Sequence, residues 1–383
     1  MLQLCVSQQP NNIPFTFLGT GIRVYSLEEA MYHVFRYWRE SAEDFLSQEM
    51  IAWTAELGLA WAAAKMQSIA EKDTFAARIL DFLQLIDYFA PAELRELRVT
   101  LNTWERRREW ERLKERADML VARGDPFKAL PLYKQALALE ENIHLLNNIA
   151  VAYMQLSLAK KAAGYLSRAR AMAPDNIDIT LHYIEAAILS KQFEAAETTL
   201  NAAKDMGPDL ADIPFLYGLL AYKQGDYAAA LTHYQEAVNR APNTAYYVYK
   251  LADTYKKNRR YKQALLTLDA IPTRDAAYYT KEAEIHAAAG DVPASLRCMR
   301  TATAEYGANN AALWVKLAEY YRHDYDWRRA EKAIAHALAQ NPDNDKARLE
   351  NARIQKGLGQ TRAYQGELSG ILKRFKRRYR ADE

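Results

Sequence analysis

The chain has 383 residues, 50% of them apolar and 26% charged. That excludes a disordered chain and is long enough for two or three domains, or for one elongated repeat protein. Its formal net charge of +3 is too small to suggest general affinity for nucleic acid or an anionic membrane. Only 14 Gly and 12 Pro interrupt a background rich in Ala, Leu, Glu, Lys, Arg and Gln, a bias toward helix nearly everywhere.

The first residues, MLQLCVSQQP, contain a short apolar run ending in Cys5. A basic stretch and a full apolar segment before that cysteine are missing, so export is not expected. No run approaches the roughly 18 apolar residues of a membrane span. Cys5 and Cys298 form no CxxC pair and no disulfide framework, which fits a reducing, cytoplasmic setting.

Residues 1–109 read as a mostly helical domain with a short strand-like start at PFTFLGTGIRVYS (14–26), turning at Gly19–Gly21. Ser26 with Glu29 three residues later predicts a capping box opening a helix through about Arg39. Further helices are predicted over 46–57, 59–71 and 73–89. After Pro91, one long helix is predicted from Glu93 toward Arg123. The aromatic row (Tyr32, Phe35, Tyr37, Trp38, Phe45, Trp53, Trp61, Phe75, Phe82, Tyr88, Phe89) is assigned to the core of this domain, in preference to an exposed docking surface.

From about residue 110 the chain is periodic. Pro174, Pro208 and Pro242 recur every 34 residues, as do the pairs Ala162/Ala169, Ala196/Ala203 and Ala230/Ala237. The segment LYGLLAYKQGDYAAALTHYQEAVNRAPN (216–243) carries the whole pattern: Gly218 and Ala221 are small, GDY (225–227) turns, Ala230, Tyr234 and Ala237 follow, and Pro242 ends the unit. A second copy, at 313–344, places Trp314, Leu317, Tyr321, Ala330, Ala337 and Pro342 correspondingly. In this pattern the sequence resembles the tetratricopeptide repeat family. The resemblance implies an all-α fold, a right-handed α-solenoid of helical hairpins, here spanning 110–344 behind the N-terminal helical domain. Seven units are read: 110–142, 143–176, 177–210, 211–244, 245–275, 276–309 and 311–344. Small residues such as Ala129, Ala162 and Ala264 let paired helices approach, while Tyr133, Tyr153, Tyr255 and Tyr321 fill the space between hairpins. The fifth unit is short, because Pro272 arrives where its second helix should still run; a local change of superhelical curvature is expected there. The third is atypical, with Ile184 and Ala187 at its usual small and aromatic positions.

Residues 345–383 read as capping helices broken near GLGQ (357–360), ending in LKRFKRRYR (372–380). Lys373, Arg374, Lys376, Arg377 and Arg378 make a basic tail that suits a polar solenoid cap or an acidic partner. Nucleic acid is a poor fit for one short tract.

No phosphate-cradling, dinucleotide, metalloprotease or nucleophile-elbow motif occurs, so no catalytic residue and no cofactor is assigned. His182 and Glu185 share a helix face without a third ligand, so no metal is assigned either. The family resemblance implies that first helices line a concave groove. Its positions fall on Asn147, Asn148, Phe215, Leu219, Tyr222, Tyr246, Tyr249, Lys250, Asp253 and Lys256, with Lys281, Glu284, Lys316, Glu319 and Arg322 further on. Rings beside long cations suit a protein or peptide partner, and a groove around Phe215–Lys256 is the expected site. Some family members clamp a C-terminal carboxylate. Lys114 and Asn148 match that set, but Asp118, Asp178 and His182 replace its other members, and two acids would repel the ligand. The expected function is a non-catalytic scaffold or adaptor in a larger complex. The alternative is a peptide-responsive receptor whose N-terminal domain moves on binding. Self-association through an imperfectly capped end is a further expectation.

Overall fold

The structure, a computed structural model, describes residues 14–42, 44–308, 310–342 and 344–380, except the side chains of 374–380; the start MLQLCVSQQP with Cys5 lies outside the described residues. The described chain is all-α apart from one short ribbon, and it forms two compact units, Met1–Gln192 and Phe193–Glu383.

The first unit opens with β1 (Phe15–Thr16) paired antiparallel to β2 (Arg23–Val24), in the register Phe15↔Val24. Gly21, at φ 72°, takes the left-handed turn conformation that a side chain disfavours. α1 (Leu27–Tyr37) starts at Ser26, whose Oγ accepts from the Glu29 N–H at 3.2 Å. The reciprocal bond of the predicted capping box is shifted by one residue: Glu29 accepts from the Tyr25 N–H at 2.7 Å. α2 (Gln48–Glu56), α3 (Ala60–Ala70), α4 (Phe75–Leu83) and α5 (Pro91–Glu105) follow. Most of the aromatic row belongs to the core: Trp38, Phe45, Trp53, Phe82 and Phe89 are buried, Phe35, Phe75 and Tyr88 pack against them, and Trp104 joins the cluster. Tyr32 and Trp61 are exposed.

Two expected helices are shorter. α4 stops at Leu83, because the Gln84 and Leu85 N–H groups tie back three residues to Asp81 and Phe82 and tighten the last turn. The long helix expected from Glu93 to Arg123 is two: α5 ends at Glu105 and α6 (Glu109–Ala122) begins anew. Between them Arg108 is extended at ψ 152°, and Glu111 accepts from its N–H at 2.9 Å, restarting the helix as an N-cap would. The sequence lacks a glycine or proline here, so the break carries no local signature.

The remaining helices come in pairs. α6 pairs with α7 (Pro126–Leu139), and α8 (Ile143–Gln155) with α9 (Ala159–Met172); α10 (Ile177–Leu189) ends the first unit's helices. The second unit holds α11 (Phe193–Met206), α12 (Asp212–Gln224) with α13 (Tyr227–Arg240), α14 (Ala245–Lys257) with α15 (Tyr261–Leu268), and α16 (Ala276–Ala288) with α17 (Val292–Tyr306). It closes with α18 (Ala311–His323) and α19 (Trp327–Gln340), then α20 (Asp345–Gly357) and α21 (Thr361–Arg380). α15 is a turn and a half shorter than its counterparts, as Pro272 leads one to expect. Ala129, Ala162, Ala196, Ala230, Ala264 and Ala330 are fully buried.

One turn geometry recurs. Gly124, Ser157, Lys191, Gly225, Arg259, Gly290, Tyr325 and Gly359 all have φ between 58° and 91°. In each case the next residue's N–H returns to a carbonyl five positions earlier, from Asp125→Leu120 (2.9 Å) through Asp226→Ala221 (2.9 Å) to Gln360→Gln355 (2.9 Å). This left-handed closure satisfies carbonyls that a helix end otherwise strands. It also joins α20 to α21, so the last two helices share the hairpin turn of the repeats.

The N-terminal helices are seated on the first hairpin. Arg123 pairs with Glu40 at 2.5 Å, and the Glu40 side chain is only 1% exposed. Arg39 pairs with Glu115 at 2.8 Å, and Lys128 Nζ donates to the Leu18 carbonyl at 2.7 Å. Removing one partner of a buried pair strands the other charge. Arg123→Ala is therefore expected to cost on the order of 3 kcal/mol in denaturant unfolding, and Arg123→Ala with Glu40→Gln less than the single change. At the turns, Arg259→Gly is expected to raise stability by about 0.5–1 kcal/mol in the same assay, because glycine carries no Cβ penalty at φ 58°.

Candidate partner-binding face

Within each unit, polar side chains link the first helices of successive hairpins. In the first unit their centre is Asp118 on α6. Asp118 Oδ1 accepts from Tyr133 Oη (2.6 Å) and Asn148 Nδ2 (2.8 Å), and Oδ2 accepts from Lys114 Nζ (2.7 Å). Lys114 and Asn148, the matched members of a carboxylate clamp, are thus already held by the protein's own carboxylate. They line a cleft of about 770 Å³ with Arg107, Trp110 and His144. On α10, His182 Nδ1 donates to Asn147 Oδ1 at 2.8 Å.

In the second unit the face begins on α12. Phe215 and Leu219, expected to face a partner, are instead core, at 3% and 2% exposure. The reason is local packing. The Phe215 ring stacks on Tyr247 at 4.7 Å and tilts against Tyr246 and Tyr234, and α12 is apolar on several faces, burying Ile213, Leu216 and Leu220 as well. Tyr222 is half-buried and Tyr246 is 46% exposed. Lys250 Nζ lies 5.2 Å from the Tyr246 ring centre, a cation–π arrangement. Burial and the neighbouring Asp275 push the Tyr249 phenol up to about 12, so it stays a neutral hydrogen-bonding group at neutral pH.

Beyond the rings lies a lattice of charge. Asp253 on α14 pairs with Lys256 (2.9 Å) and with Lys281 on α16 (2.8 Å). Glu284 on α16 pairs with Lys256 (3.3 Å), Lys281 (3.2 Å) and Lys316 on α18 (3.0 Å). Three lysines against two carboxylates leave one net positive charge. Burial works to raise the Glu284 carboxyl, but Lys281, Lys316 and Lys256 together hold it down at about 2. Further along, Arg322 on α18 and Arg353 both pair with Glu350 on α20, which is 1% exposed. Reading 345–383 as a cap hides Glu350; the 34-residue step from Tyr325 to Gly359 is the signal that continues the repeat spacing into α20. Lys373 is exposed, and α21 carries Arg374, Lys376, Arg377 and Arg378 on helical backbone.

Family models agree with the hairpin architecture. Tetratricopeptide repeat family models match residues 114–177, 157–215 and 221–287. Residues 114–215 and 221–287 thus carry tetratricopeptide repeats, a fold that is generally non-catalytic and binds protein partners. Similar solved structures include a tetratricopeptide repeat protein from Parabacteroides merdae (17% identity, 63% of this chain and 97% of that one, TM-score 0.43). Others are the C-terminal part of a TPR repeat-containing protein from Cytophaga hutchinsonii (20%, 61% and 97%, 0.36) and MamA from Desulfovibrio magneticus (19%, 42% and 90%, 0.34). Comparison with curated proteins gives no match. No described helix is long and apolar enough to cross a membrane.

The lattice has a pH signature. A carboxyl lowered to about 2 from an ordinary 4.5 contributes stability that is complete above 4.5 and is lost as pH falls through about 2. Glu284→Gln is expected to lower stability at neutral pH by on the order of 2 kcal/mol. It should also flatten the fall in melting temperature between pH 4.5 and 2.

Proposed function

We propose that the protein is a non-catalytic scaffold that holds a segment of a partner protein on the first-helix face of its second unit. The contacts fall to Tyr222, Tyr246, Tyr249, Lys250, Asp253 and Lys256. One observation carries the reading: half-exposed tyrosines on α12 and α14 run directly into a charge lattice that stays within reach of solvent, with side-chain exposures of 19% to 40%. Rigid rings give contact area at low entropic cost. The lattice fixes register, because an incoming carboxylate or ammonium must exchange one ion pair for another of the same sign pattern. The net positive charge favours a segment that presents an excess carboxylate. With Phe215 and Leu219 in the core, the apolar part of the contact rests on the tyrosines. Asn147 and Asn148 offer a separate polar surface in the first unit. The ion pairs that seat the N-terminal helices on the first hairpin favour a scaffold over a receptor with a moving head.

The test replaces Tyr246 with a photo-crosslinking phenylalanine analogue in full-length protein and compares it with the same analogue at exposed Leu266 on α15. Partner crosslinks at 246 and none at 266 are expected, and Tyr249→Ala with Lys250→Glu should reduce capture at least about tenfold. Equal crosslinking at both positions, or capture unchanged by the double substitution, rules this face out as the partner surface.

A further inference from the structure

The sixth hairpin holds a cluster of chemistry-bearing side chains that the partner-binding face does not use. Glu282 and His286 stand four residues apart on α16, one turn, and so share a face. Cys298 on α17 meets them across the hairpin. A ligand atom of each lies within 4.8 Å of the other two. The Cys298 thiol donates to Glu282 Oε2 at 3.3 Å, which puts a proton where a cation would replace it. The three side chains are half-buried, and Cys298 packs against a core that includes Ala283 and Met299. Asp291 adds a second carboxylate, 3.7 Å from His286 Nδ1.

We propose that Glu282, His286 and Cys298 form a three-ligand zinc site, with the fourth position left to water. A thiolate and an imidazole do not suit magnesium or calcium, which take oxygen ligands. Sulfur, nitrogen and carboxylate oxygen together are the donor set of tetrahedral Zn²⁺. Bonds of about 2.0–2.3 Å in that geometry space the donors roughly 3.5 Å apart. The Cys298–Glu282 separation of 3.3 Å already meets this, and the other separations, within 4.8 Å, need to close by no more than roughly 1 Å, within rotamer adjustment. Binding forms the Zn–S, Zn–N and Zn–O bonds and releases the thiol proton to solvent. The ion then ties α16 to α17. Because α16 also carries Lys281 and Glu284, the tie sets the helix that bears the middle of the charge lattice. The site stands on its own residues and does not depend on what the partner face binds.

The test titrates untagged, chelator-treated full-length protein with Co²⁺ and then Zn²⁺. A thiolate-to-cobalt charge-transfer band with tetrahedral d–d absorption is expected, displaced by Zn²⁺, together with a melting temperature raised by Zn²⁺. The band should disappear in Cys298→Ser, persist in Cys5→Ser, and need at least about tenfold more metal in Glu282→Gln and His286→Gln. Circular dichroism on each variant separates lost ligation from lost folding, and Cys298→Ala supplies a second form without the site's thiol. Absence of a thiolate–cobalt band in the wild type, or a band that survives Cys298→Ser, overturns the site.

Discussion

The fold rests on how closely two helices of a hairpin can approach. Where they cross, the space admits a methyl group or less. Six alanines at equivalent places are fully buried, and at Gly218 even a Cβ would come within 2.7 Å of the Tyr234 ring. No hairpin buries its apolar faces alone, so the close approach inside each pair and the stacking of pairs must be met together. The left-handed turn follows from the first requirement. Two helices this close leave too little span for a loose loop, and the five-residue return bond closes the connection while satisfying a helix-end carbonyl. Glycine occupies half of these positions; Ser157, Lys191, Arg259 and Tyr325 hold the same backbone at some cost.

Once backbone geometry is fixed in this way, side chains on the first-helix face are released from packing duty and are available for recognition. The faces of the two units differ for that reason. In the first unit, near Asp118, the face is turned inward, with a hydroxyl, an amide and an ammonium converging on one carboxylate. In the second, from Tyr222 to Lys316, it is a mixed surface of rings and paired charges. Near Glu350 it closes again around a buried anion held by two arginines.

The sequence made the repeats legible because their spacing is set by a small number of steric contacts, and residues such as Ala230, Tyr234 and Pro242 can satisfy those contacts only at fixed intervals. It also exposed the early stop at Pro272, since a missing donor and a fixed φ act locally. What it concealed depends on tertiary partners. Phe215 and Leu219 hold positions that face outward in the family's geometry, yet Tyr247, stacked on Phe215 from the next hairpin, helps enclose them. The break at Arg106–Arg108 has ordinary helix formers on both sides. Glu282, His286 and Cys298 are brought together only by the pairing of α16 with α17, and no sequence interval announces that. The seat of the N-terminal helices, through Glu40 and Arg123, joins residues more than eighty positions apart.

The charge lattice has a consequence for how such an array can evolve. Its electrostatics repeat with its backbone. Lys250, Lys281 and Lys316 are the sixth residues of α14, α16 and α18, and Asp253, Glu284 and Glu319 are the ninth. Lys281 meets Asp253 and Lys316 meets Glu284 by the same step from one unit to the next. Deleting the unit between Asp253 and Lys316, or duplicating it, therefore brings a lysine to a carboxylate at the position it already fits. The units from α14 to α18 are interchangeable links: one can be taken out or added, and the next still joins.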